Sequence, residues 1–221
     1  MKKFIFFVVW TLLLLLIPIT ALRVTPLHLA LKYPSTITNF LQRIFGLAAF
    51  TLMFTQILLG AFMEKLTEKL GAWVFSFHIF EGILIYTLAL LHPLIFMAYN
   101  HFIGQGWNPY AVFINVCLLC QTATGYYYTL GMISFWLLTV TVFAGFFRAS
   151  SPWMRLNWRK LHVFNYVVFL IAGLHGFLIG TDFKVQPFFT IGLIMYAVIL
   201  GVVIFKEIPI LFRNFLVWVR S

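Results

Sequence analysis

Along this chain apolar residues do not alternate with polar ones. They run in long, nearly unbroken blocks separated by short clusters of charge. Six blocks stand out, at about 4–22, 39–62, 72–99, 128–147, 161–180 and 187–206. A helix rises about 1.5 Å per residue, so roughly 20 apolar residues cross a hydrocarbon layer. Lipid holds no water to satisfy backbone amides, so each block predicts a helix. The expected fold class is an all-α polytopic membrane protein, a bundle of six transmembrane helices. The third block is long enough to tilt or to project beyond the hydrocarbon. Between the third and fourth blocks, residues 100–127 carry no Lys, Arg, Asp or Glu. Trp107, Pro109, Tyr110 and Tyr126 to Tyr128 fit an interfacial segment there, with a short apolar stretch at 110–119 lying on the membrane or dipping into it.

Composition supports the same medium. Hydrophobic residues make up 63% of the 221 positions and charged ones only 9%, an excess that a soluble surface of this size cannot hide. Aromatics are heavy, with 27 Phe, 9 Tyr and 7 Trp, which suits both lipid contact and packing around flat apolar cofactors. The first block follows Met1-Lys2-Lys3 but is too long for a signal core, and no small-x-small cleavage site follows it. It reads as the first span.

A formal charge of +10 does not imply nucleic acid, because the cations are spread over the block ends rather than gathered in a basic run. With six spans, one side carries Lys2, Lys3, Lys65, Lys69, Arg148, Arg155, Arg159, Lys160, Lys206, Arg213 and Arg220. The other carries Arg23, Lys32, Arg43 and Lys184. Eleven against four places both termini in the cytoplasm, and in a bacterial cell the chain in the inner membrane. The third and fifth helices then run from inside to outside.

The chemistry lies in histidines. Of six, His78 and His92 fall in the third block and His162 and His175 in or at the start of the fifth, where ionisable side chains are costly and usually functional. Spacings of 14 and 13 residues set the members of each pair roughly 20 Å apart along their helix. Because the two helices run the same way, His78 matches His162 in depth, and His92 matches His175. Two imidazoles facing each other across a bundle suit a six-coordinate haem iron. A gap of 14 returns to within about 40° of its starting direction, whereas a gap of 13 is about 140° off, so the fifth helix needs a distortion, expected near Gly173, or differently rotated cofactors. Zinc wants three or four ligands close together, which these pairs do not supply.

Arg43-Ile44-Phe45-Gly46-Leu47, the His78 to His92-Pro93 helix, Tyr128-Thr129-Leu130-Gly131-Met132-Ile133-Ser134 and Trp158-Arg159-Lys160-Leu161-His162 with His175 resemble the ferric reductase-like transmembrane domain. That family includes NADPH oxidases, ferric reductases and the haem-binding membrane subunit of the periplasmic methionine sulfoxide reductase. The resemblance covers about residues 38–206. It divides the chain into a first helix and outer loop (1–37), the haem-binding domain (38–212) and a cytoplasmic tail (213–221). It implies two b-type haems as cofactors, the inner on His78 and His162 and the outer on His92 and His175, with all four histidines as iron ligands. The implied function is transmembrane electron transfer to an outer acceptor: ferric iron, oxygen or a partner protein. The chain would be an oxidoreductase component. Full-length oxidases and ferric reductases continue into a flavin and NAD(P)H domain. Here FAD or FMN is expected only through a separate flavoprotein, or quinol serves as donor, with Arg148, Arg155, Arg159 and Lys160 as a docking face or simply a positive-inside loop. The second histidine on the third helix favours the two-haem branch over the sulfoxide reductase subunit, and a haem-free transporter or proton channel is the other alternative.

Four further expectations concern single residues. Glu81, one turn after His78, is expected to hydrogen-bond a haem ligand, carry protons or pair with Gln56. Arg43, at the outer start of the second helix, is expected to bind a propionate of the outer haem or the acceptor, or to anchor the helix at the interface. His28 and His101 fall in outer loops, as surface residues or together as a site for an acceptor metal ion. Cys117 and Cys120 form a redox pair or, as the apolar surroundings favour, two small hydrophobes.

Overall fold

The computed structural model describes residues 1–209. Arg213, Arg220 and the tail 213–221 lie outside the described residues. Six helical spans cross the molecule, and no strand occurs among the described residues. In chain order the helices are α1 (Lys2–Val24), α2 (Leu27–Ala30), α3 (Pro34–Ala61), α4 (Met63–Leu70), α5 (Trp73–Phe102), α6 (Pro109–Phe113), α7 (Ala123–Phe146), α8 (Pro152–His162), α9 (Asn165–Ile179) and α10 (Phe188–Val202). Helices α8 and α9 together form the fifth span, and α10 continues through a π-helical turn, Val203–Glu207, to complete the sixth.

Local signals set the boundaries. Pro34, Pro109 and Pro152 each open a helix at its first turn, where a missing N–H costs nothing. Asn108, Thr122 and Ser151 cap the free amides of Ala111, Gly125 and Met154. The cap at Thr122 explains why the fourth span begins at Ala123 rather than near 128: Tyr126 to Tyr128 lie inside the helix. The stretch at 110–119 is no seventh span, because α6 stops after five residues. Trp136 ties it to α7 by donating to the Phe113 carbonyl at 2.7 Å.

Helices α3 and α5 pack along their length, as do α7 and α9. These two antiparallel pairs stand side by side, with α1 and α10 flanking α3. At their centre Phe50 stacks on Phe169 at 4.6 Å between ring centres, with Phe183 and Phe188 edge-on beside them. Leu52, Ile85, Leu138, Val168 and Met195 complete this buried layer. Outward-facing positions such as Leu12, Ile83, Val140 and Ile194 stay exposed and apolar, as a lipid-facing surface requires.

One end of the bundle, bearing Met1, carries α4 and the loop before α8. The opposite end carries α2, α6 and the loop Gly180–Pro187, which Arg43 fastens. Its guanidinium donates to both Asp182 oxygens at 2.7 and 2.6 Å, to Thr25 Oγ1 at 2.7 Å and to the Ala21 carbonyl at 3.3 Å. Both members of the ion pair are largely buried.

Candidate functional site

The two spacings of histidines become two facing pairs. His78 on α5 meets His162 at the end of α8, with ring centres 6.3 Å apart and planes at 68°. His92 on α5 meets His175 on α9 at 6.4 Å and 88°. The first pair lies toward the Met1 end and the second toward the opposite end, with the Phe50–Phe169 layer between them in register. Two imidazoles bound to one ion from opposite sides, at about 2.0–2.1 Å each and with ring centres about 1.1 Å behind the nitrogens, have centres about 6.3 Å apart. Both pairs meet that separation. Among the described residues no three His, Cys, Asp or Glu gather into a metal-binding group.

The fifth span does contain the distortion that the 13-residue gap demands, but immediately after His162 rather than at Gly173. There Phe164 N–H bonds the Leu161 carbonyl at 3.1 Å and Tyr166 N–H bonds the Val163 carbonyl at 3.2 Å, i→i+3 contacts that tighten one turn. A tighter turn advances each residue further round the axis. Added to the 13-residue rotation, that reduces the mismatch and helps both imidazoles reach α5. Gly173 instead lies in continuous helix against Tyr196 and Phe50.

Each histidine ring rests on a glycine of the neighbouring helix. A Cβ on Gly46 would lie 2.9 Å from the His92 ring, and one on Gly131 2.8 Å from that of His175. At the other end Gly60 faces His78 at 3.3 Å and Gly145 faces His162 at 3.4 Å. In three cases the Nδ1 of the same ring reaches the carbonyl four residues before the glycine. His92 bonds Gln42 O at 2.8 Å, His175 bonds Tyr127 O at 2.7 Å, and His162 bonds Thr141 O at 3.1 Å. In a helix the carbonyl of residue n bonds the amide of n+4, and the side chain at n+4 shields its second lone pair. Glycine at n+4 leaves that lone pair open to an imidazole from the next helix. Since a carbonyl only accepts, Nδ1 carries the hydrogen in His92 and His175 and Nε2 keeps a free lone pair, whereas at His162 the Asn165 amide nitrogen, a donor, also lies 3.3 Å from Nδ1. Fixing the tautomer through Nδ1 is how a protein presents imidazole to a metal.

His78 departs from this scheme. Its Nδ1 is buried without a hydrogen-bond partner, while Gln56 donates to its backbone carbonyl at 2.9 Å and lies 3.4 Å from its Nε2. Gln56 holds the position, four before Gly60, that Gln42 holds before Gly46. The glycines and their carbonyl partners were missed in the sequence. Their signal was a 14-residue spacing, Gly46 to Gly60 and Gly131 to Gly145, echoing that of the histidines.

Glu81 is fully buried, and its Oε1 accepts from Trp10 at 2.7 Å and Thr55 at 2.6 Å. It thus joins α1, α3 and α5 rather than pairing with Gln56, and its Oε2 has no partner. Arg43 is bonded to Asp182, Thr25 and the Ala21 carbonyl. His28 is exposed, and His101 lies against Trp107 at 5.2 Å. Cys117 and Cys120, expected as a redox pair or as two small hydrophobes, are joined in a disulfide. Thr129 bonds both the amide and the carbonyl of Cys117, and the loop then turns back on α7, bringing the two Cα atoms within 5.4 Å.

No family model matches the chain, and neither a curated protein nor a solved structure matches it.

Proposed function

We propose that this protein is a di-haem b-type electron conduit across a membrane, with His78 and His162 holding the inner haem and His92 and His175 the outer. The observation that carries the reading is the pairing itself: two imidazole pairs, each at the separation that one shared ion requires, stacked along parallel spans. The donor sets fit b-type haem, since both rings of the outer pair have Nδ1 committed to a carbonyl and Nε2 free. When bound, the haems supply one-electron iron chemistry.

The chain's own residues do the rest. The glycines let each ring approach α3 or α7 closely, and at His92, His162 and His175 a carbonyl helps fix the ring's rotation. Aromatic and aliphatic side chains between the stations exclude water. The Met1 end, with Arg148, Arg155, Arg159 and Lys160, faces the cytoplasm by the positive-inside rule. Donors there are a flavoprotein or quinol, and the acceptor lies on the opposite side.

A reduced-minus-oxidised absorption spectrum with a pyridine haemochrome count tests this. About two haems per chain are expected, with His78→Ala and His162→Ala each removing the same one. A colourless protein expressed with ample haem would overturn the reading in favour of a proton relay. Loss of different haems in the two variants would overturn the pairing.

A further inference from the structure

The loop between α6 and α7 holds a second redox-capable group. Cys117 and Cys120 are bonded at the same end of the bundle as His92 and His175. Both are partly accessible, and Leu118 and Leu119 between them are 76% and 92% exposed, so the bond sits at the surface rather than in the core. The Cys120 sulfur lies over the first turn of α7, 3.0 Å from where a Gly125 Cβ would be. Free amides at a helix N-terminus favour negative charge, here the charge of a thiolate. Cys117 is bound through its backbone to Thr129, two residues from both Tyr127 and Gly131, which hold His175. The disulfide is therefore fixed to the helix that positions the outer histidine.

We infer that the Cys117–Cys120 disulfide is redox-active and is the first acceptor of electrons leaving the His92–His175 station, an inference that rests on the conduit reading above. Two electrons and two protons break the Sγ–Sγ bond and leave two thiols. The electrons come from a two-electron donor, a dihydroflavin or quinol at the inner side, and the protons come from water at the outer surface. The dithiol is reoxidised by thiol–disulfide exchange with a disulfide outside the membrane: thiolate attack forms a mixed disulfide, the second cysteine resolves it, and the partner leaves as a dithiol.

The test uses the full chain in lipid discs, reduced anaerobically with photoreduced FMN. Samples are quenched in acid, alkylated with a maleimide and weighed by mass spectrometry while the haem spectrum is recorded. The wild type is expected to gain two alkyl groups per chain. His175→Ala is expected to gain at least tenfold less in the same time, although a phosphine reductant opens the bond fully in both. Free thiols before any reductant would overturn the inference. So would a bond that stays closed while the outer haem is reduced, and either result leaves the conduit standing. Equal opening in the wild type and His175→Ala also overturns it, because the electrons then bypass the station. Failure of the conduit itself is recognised separately, as a wild type without haem absorbance.

Discussion

At the residue scale the sharpest demand is for the absence of a side chain. Gly131→Ala places a methyl 2.8 Å from the His175 ring, and Gly46→Ala does the same at 2.9 Å to His92. Real Cβ atoms do not tolerate such contacts, so the ring must leave its carbonyl. We expect the haem count to fall from two toward one per chain in either variant, with the inner haem's spectrum retained. Gly145→Ala, at 3.4 Å, should be milder, and Gly201→Ala, which meets nothing within 4 Å, is the neutral control. Glu81 makes a different prediction. Both of its donors point at one oxygen, so Glu81→Gln can keep both bonds by presenting its amide oxygen to Trp10 and Thr55. Trp10→Phe removes a donor to a buried acceptor and should lower stability by about 1–3 kcal/mol, measured by thermal unfolding in detergent.

At the scale of elements, two features decide whether the spans hold their registry. One is the tight turn after His162. Inserting one alanine after Phe164 rotates His162 by about 100° relative to His175. The inner pair should be lost while the outer survives, read as one remaining haem with altered potential. The other is the Arg43–Asp182 clamp, which joins α3 to the loop before α10 and, through Thr25 and Ala21, to the end of α1. Asp182→Ala leaves a largely buried guanidinium without its partner and should cost about 3–5 kcal/mol. Replacing Arg43 and Asp182 together by Met and Leu should cost much less, because no orphaned charge remains. Equal losses in the single and double variants would show that the packing of the loop, rather than the ion pair, holds this end.

For the whole molecule, the arrangement of charge makes a directional prediction. In intact cells of a strain carrying Cys117→Ser and Cys120→Ser, an impermeant maleimide should label Lys32→Cys and leave Lys69→Cys untouched until the membrane is opened. The reverse pattern would turn the proposed conduit over and exchange its inner and outer histidine pairs. Two similar hairpins, α3 with α5 and α7 with α8 and α9, place the four histidines by one repeated device. Each supplies two glycines 14 residues apart to receive two histidines.

Much of this was legible without coordinates. Hydropathy alone determined six helical spans, because a backbone in lipid has no other way to satisfy its amides. Helical rise and parallel direction alone matched His78 with His162 and His92 with His175 in depth. What tertiary structure decided is rotation and partnership. The tight turn after His162 arises from local backbone hydrogen bonds that residue spacing does not encode. The role of Gly46, Gly60, Gly131 and Gly145 exists only once a second helix brings an imidazole against them. Arg43 finds Asp182 across 139 positions of chain, and Glu81 finds Trp10 across 71, because burial leaves a charge or carboxyl no solvent to turn to. Depth along a helix is a one-dimensional quantity and can be read from a one-dimensional string. Which face meets which neighbour depends on how helices cross, and only packing determines that.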